Sequence, residues 1–325
     1  MEGYFWRLSE PGSGRVFVAL CGVHQGSGGR WANVALAAHP GCVVHSADFD
    51  CGSADPTGLG VRAGDGAFVA DAHHVRLDLG ERAGLDLRLH DVRSWTRPAF
   101  GGLGAAHVLP GLSQHWHPHV LGARASGTVC VDGVSTDLAG FRVYAEKHWG
   151  RDGFPERWWW GQADAFGTDD VCVAFAGGRV SLGPLRTTAT AIVMRWGDRL
   201  VRLGDPVLSP ARAQVGDGGW QLKARGPRWS IELEAQADLA GAHVLPVPLP
   251  ARGHSVPGSL HHFSGVLHAV LRRRGRVVFA GTSTLAGLEE GGRAPLEQEL
   301  GRRAAATTAC AERREPREGT APAVC

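Results

Sequence analysis

Lysine is nearly absent from this chain. Of 34 basic residues only Lys147 and Lys223 are lysines, and tyrosine is as rare, with Tyr4 and Tyr144 alone. Abundant Ala, Gly and Arg mark the drift of a GC-rich coding sequence, so the closeness of Tyr144 to Lys147 is a modest local signal. No apolar run approaches the ~20 residues of a membrane-spanning helix. No basic block is dense enough to hold nucleic acid, and the Arg272–Arg274 run reads as a strand end. The opening MEGYFWRLSEPGSG has an acid at position 2 and no basic stretch leading into an apolar one, so no secretory signal is expected. Seven scattered cysteines without a CxxC pair argue against a zinc knuckle and a disulfide framework. They read as reduced, mostly buried small hydrophobes of a cytoplasmic protein. A P-loop, a GxSxG elbow and an aspartate-rich diphosphate motif are all missing. GSGGRW matches a dinucleotide fingerprint only when the pattern is loosened, and without a βαβ frame. Nothing therefore points to nucleotide, flavin or magnesium-diphosphate chemistry, and no cofactor is expected.

What is present is turn chemistry between short strands. The 325 residues include 47 glycines and 18 prolines. Apolar or alternating runs recur at 15–23, 66–72, 75–79, 85–92, 127–133, 170–176, 188–196, 229–235 and 265–281, separated by AGDG, VDGV, AGGR and GDGG. This spacing predicts an all-β sandwich or barrel. The segment GRWANVALAAH (29–39) reads as a single helix. A domain boundary is expected near residue 150, giving units at 1–150 and 151–295. The stretch from 296 to 325 loses alternation, gains charge, Ala and Pro, and reads as a mobile tail.

Two patches carry chemistry. In LPGLSQHWHPHVLG (109–122), His115, His117 and His119 alternate and would share one face of a strand. Three imidazoles on one face could hold a metal, but Pro118 interrupts the strand and no well-placed carboxylate follows. A structural role, or one in proton transfer or hydrogen bonding, is the better reading, and no metal is expected. In YAEKHWGRDGFPERWWWGQ (144–162), alternation puts Tyr144, Glu146 and His148 on one face and Lys147 and Trp149 on the other. It also puts Trp158, Trp160 and Gln162 together, away from Trp159. Two large sheets burying their tryptophans would explain the indoles alone. A glutamate among them must be paired or turn neutral, and a neutral carboxyl at pH 7 is what proton donation requires. Were Lys147 to point at Glu146, the carboxylate would stay charged.

At these residues the sequence resembles the tocopherol cyclase family. The resemblance rests on EGYFWRL (2–8), PGLSQHWHPHVLG (110–122), YAEKHWGRDGFPERWWWGQ (144–162) and AGLEEGG (286–292), and covers residues 2–292. More distantly, EKHWG is similar to the DHNWG pattern of carotenoid hydratase-like folds. The resemblance implies two lipocalin-like antiparallel β-domains with few short helices, and a cofactor-free enzyme. Such an enzyme protonates an alkene of a prenylated or terpenoid substrate and directs ring closure of the carbocation. It places Glu146 at the acidic position, with His117 and His119 as helpers, and Lys147 beside the acid is counted with Glu146 and His117 among the catalytic residues. Tyr4, Trp116, His119, Trp149, Trp158, Trp160 and Gln162 are the residues expected to contact substrate. The expected partner is a hydrophobic small molecule rather than nucleic acid, with peripheral membrane contact left open. A hydratase or pericyclase on the same fold, or a terpenoid carrier without turnover, are the rival readings.

Overall fold

The computed structural model describes all residues except 27, 96–101, 105–111, 152, 184, 239–240, 251, 293–295, 298–299 and 302–325. Two antiparallel sheets take up nearly all of it. The first comprises β1 (Glu2–Glu10), β2 (Arg15–Gly26), β3 (Gly29–His39), β4 (Val43–Phe49), β5 (Gly52–Ala54), β6 (Val61–Ala63), β7 (Phe68–Ala70), β8 (His74–Asp78), β9 (Ala83–His90), β10 (Gln114–Val131), β11 (Val134–Asp137) and β12 (Arg142–Gly150). The second comprises β13 (Arg157–Ala163), β14 (Val171–Leu182), β15 (Leu185–Trp196), β16 (Arg199–Leu203), β17 (Ala211–Gly216), β18 (Gly219–Arg225), β19 (Trp229–Gln236), β20 (His243–Leu249), β21 (His254–Arg273) and β22 (Arg276–Gly292). Neighbouring strands run β4-β3-β2-β1-β12-β10-β9-β8-β7-β6-β5 in the first sheet, with β11 beside β10. The second follows β16-β15-β14-β13-β22-β21-β19-β18-β17, with β20 beside β21.

Each sheet curls around its own core. Trp6 of β1 meets Phe68 of β7 at 5.6 Å between ring centroids, although four strands separate them laterally. Val34, Val61, Leu87 and Val143 share the same core. The second sheet does likewise around Trp159, Phe175, Trp220, Leu233 and Leu288. Two smaller apolar clusters join the sheets back to back. One sets Trp116, Leu121 and Tyr144 against Trp160, Cys172 and Val193. The other sets Val16, Val18 and Ala37 against Leu245, Phe263 and Leu285.

Residues 29–39 form strand β3 and not the expected helix. Trp31–Ala38 are buried without a break. Ala32, Val34, Leu36 and Ala38 face the first core, while Ala37 faces the second sheet. A strand covered on both sides loses the polar alternation that would identify it, and an Ala-rich apolar run then imitates a helix. Pro118 does not end its strand either. β10 runs through it, and the register against β12 shifts between His117 and Val120, a bulge that absorbs the missing donor.

Most of the expected tail lies outside the described residues. At its start Leu296 is buried in a small cluster with Ala242 and Leu260. Among the described residues no helix is long and apolar enough to cross a membrane.

Candidate active site

Where the outer faces of the two sheets meet they leave a cavity of about 170 Å³. Strand register lays its walls out in rows. On the first sheet Trp116, His148, Gly3, Gly22 and Asn33 are lateral neighbours on β10, β12, β1, β2 and β3. The next row on the same face is Glu146, Phe5 and Leu20, roughly 7 Å along, since each strand residue rises ~3.4 Å. On the second sheet Ala176, Trp160, Glu289 and His261 are in register, and Gly178, Trp158, Gly291 and Ser259 form the adjoining row.

Two glycines serve as floors for rings. A Cβ at Gly3 would fall 2.0 Å from His148 Cε1, and one at Gly291 would fall 1.8 Å from Trp158 Cε2. Gly291→Ala is therefore expected to push the Trp158 indole off its seat and lower kcat by up to ~10²-fold, the penalty of a misplacement near 1 Å. Steady-state kinetics, with circular dichroism to establish that the sheet survives, would test it. Unchanged kcat would contradict it.

Glu146 is 7% exposed. Three donors converge on one of its oxygens: Tyr144 Oη at 2.5 Å, Trp160 Nε1 at 2.7 Å and Trp116 Nε1 at 2.8 Å all reach Oε2. Oε1 takes none of the three and is the oxygen left to carry a proton. Burial pushes the carboxyl up to about 7. The hydrogen bonds from Tyr144, Trp160 and Trp116 restrain that rise, and the charge of Glu289 adds to it. The group is thus an acid with a substantial neutral fraction at neutral pH.

Glu289 faces the same cavity from the other sheet and is treated oppositely. Trp158 Nε1 donates to its Oε1 at 2.7 Å, and His261 Nδ1 lies 2.9 Å from its Oε2. Burial alone would raise this carboxyl. The hydrogen bond and charge of His261, with the Trp158 indole, outweigh it and hold Glu289 below the usual carboxylate range. Its neighbour Glu290 pairs with Arg157 at 2.8 Å. His148 also lines the cavity, packed 4.6 Å from Phe154, and burial lowers it to about 4, so the imidazole is neutral. Beyond it His24 and Asn33 bond at 2.6 Å.

The side chains of Glu146, Trp116, Trp158 and Trp160 meet at this cavity. Of the remaining sequence-predicted residues Tyr4 reaches the cavity's border and the others lie elsewhere. Lys147 is on the reverse face of β12, 2.7 Å from Glu2 and over the Tyr4 ring. The sheet stands between it and Glu146, so its ammonium does not hold that carboxylate charged. His117 is in register with Lys147 on this reverse face and packs 5.4 Å from Trp95. His119 lies 6.4 Å from His117, between ring centroids. Burial lowers the two imidazoles to about 4 and about 3. Trp149 stacks on His115 at 5.1 Å. Tyr4 borders the cavity, but its ring stacks on Trp6 in the first core. Gln162 is spent on Arg7, whose Nη1 donates to its Oε1 at 3.0 Å. Sequence reasoning missed Phe5, Glu289 and His261. The signal for Glu289 was there in AGLEEGG, an acid pair inside an apolar strand. His261 carried none.

A family model described as tocopherol cyclase-like matches residues 79–292. A protein of Oryza sativa subsp. japonica, described as a probable chloroplastic tocopherol cyclase, is 26% identical over 212 residues. These cover 62% of this chain and 44% of that protein, so the match spans under half the relative's length. Among solved structures, kievitone hydratase from Nectria haematococca superimposes with a TM-score of 0.53 at 13% identity, covering 91% of this chain and 90% of that one. CghA with Sch210972 gives 0.57 at 12% identity, covering 90% and 88%. At such identities the likeness concerns the fold, and it bears out the lipocalin-like all-β architecture expected from the sequence.

Proposed function

The chain belongs to the tocopherol cyclase-like family, and from that premise we propose that it is a cofactor-independent cyclase of a prenylated or terpenoid substrate. Glu146 protonates an alkene, and the cavity steers the resulting carbocation to ring closure. The observation carrying this reading is the buried carboxyl of Glu146, with three donors on one oxygen and the other left to hold a proton.

The chemistry follows from that arrangement. Donation from Oε1 leaves a carboxylate, and the donors already aimed at Oε2 stabilise the charge as it develops, without reorganising. A positioned acid of this kind contributes on the order of 10²–10⁴-fold. The cation forms against Trp116, Trp158, Trp160 and Phe5, and each aromatic face is worth roughly 0.5–2 kcal/mol to it. An apolar cavity between two sheets also limits the water that would turn cyclisation into hydration.

The pH dependence has a definite sign. Turnover needs the neutral acid, so kcat falls as pH rises through about 7. A hydrogen bond to the charged form lowers a carboxyl's pKa, so removing one raises it. Trp160→Phe deletes the indole donor and is expected to move the basic limb of the kcat profile to higher pH. A several-fold fall in the plateau should accompany it as the aromatic wall shrinks. A limb that stays put or moves down would contradict the assignment.

Purified protein incubated with prenylated quinols and linear polyprenoids, followed by mass spectrometry, tests the function itself. An isomeric product supports the cyclase. A product heavier by water would make the protein a hydratase, and saturable binding of unchanged ligand would make it a carrier.

A further inference from the structure

Ring closure by isomerisation leaves the substrate's formula unchanged, so the proton that starts it must be matched by one that leaves. Resting on the function proposed above, we infer that Glu289 is the group that takes the departing proton, and that His261 and Trp158 are the residues that position it. Glu289 lines the same cavity as Glu146 and comes from the facing sheet. Trp160 connects the two. Its Nε1 donates to Glu146, it is the lateral partner of Glu289, and its ring lies 5.2 Å from His261. Each Glu289 oxygen has a dedicated partner, one indole and one imidazole. Two carboxyls in one cavity whose surroundings drive them apart, one towards the neutral form and one towards the charged, divide naturally into acid and base.

Electrostatics selects Glu289 over the neighbouring imidazole. The titratable groups facing it are His261 on β21 and, across the cavity, Glu146 and His148 on β12. A proton passed from the cation to neutral His148 would leave a buried positive charge. Passed to the Glu289 carboxylate, it removes two opposite charges from an apolar site at once.

The sequence balances. Glu146 Oε1–H gives its proton to one alkene carbon, forming a C–H bond and leaving the other carbon cationic. A hydroxyl oxygen or a second alkene of the same substrate then forms the ring bond to that carbon. The surplus O–H or C–H proton moves to Glu289. The protein ends with Glu146 ionised and Glu289 protonated, at the same total charge, and water returns the proton to Glu146 after product leaves.

Glu289→Gln in D₂O is the test. The expected result is a fall in kcat of ~10²-fold or more, together with deuterium appearing in recovered substrate. The cation still forms but can only hand its proton back to Glu146, which exchanges with solvent. Loss of turnover without that label would mean a structural role and would overturn the inference. So would near-normal kcat in Glu289→Gln while Glu146→Gln is inactive, which leaves the cyclase reading standing. Both variants active would sink the assignment of Glu146 as the acid, on which the inference rests. Should Glu289→Gln fail to fold, His261→Asn retains the carboxylate and removes its partner. The acid limb of kcat/KM should then move to higher pH, because Glu289 gains proton affinity, and an unmoved limb overturns the inference.

Discussion

Glu146→Gln is expected to lower kcat by at least ~10²-fold while leaving the fold intact. The glutamine carbonyl can occupy the Oε2 position and keep the donors Tyr144, Trp116 and Trp160. Its amide cannot protonate an alkene. The same substitution should raise stability in alkaline buffer. Folding lifts the Glu146 carboxyl from 4.5 to about 7, so between those values the folded state binds more protons than the unfolded one. Stability then declines as pH rises through that window. A shift of this size costs on the order of 3 kcal/mol above it, at about 1.4 kcal/mol per pH unit. The variant, having no proton to lose, escapes the penalty. A soluble Glu146→Gln protein with near-normal kcat would sink the assignment.

Arg7→Ala should have the largest effect on stability, a loss of about 3–5 kcal/mol in denaturant unfolding. Arg7 is 1% exposed and lies between the sheets. Besides Gln162 it serves two backbone carbonyls, donating from Nη2 to Phe263 O at 2.9 Å and to Leu285 O at 2.7 Å. Burial lowers its pKa, so the ion is costly in place. Removing it is costlier, because three buried acceptors lose their donor together and the second sheet loses its tether to β1. A change below about 1 kcal/mol would show that the apolar clusters alone hold the sheets together.

What could be read in advance follows from how local each signal is. The all-β class was legible because alternation and turn residues are written within each strand. The 29–39 strand was not, because burial on both faces erases alternation. Glu146 stood out because its partners Tyr144 and Trp160 lie in the same short motif and period 2 aligns them. Lys147 was expected among the catalytic residues although its parity sets it on the alternate face, and the structure puts it beside Glu2. Gln162 has the right parity for the cavity, yet Arg7 of a distant strand claims it. AGLEEGG marks Glu289 locally as an acid in an apolar strand, but its pairing with His261 between β21 and β22, and the stacking of two sheets that turns it towards Glu146, are encoded by no local pattern.

The most direct test of the central claim is wild-type turnover in D₂O with the product analysed by mass spectrometry and NMR. Glu146 exchanges its proton with solvent before donating it. The account therefore predicts a product isomeric with substrate, carrying a single deuterium on the carbon protonated first, and no such product from Glu146→Gln. An unlabelled cyclic product, or a labelled one formed equally well by Glu146→Gln, would contradict it.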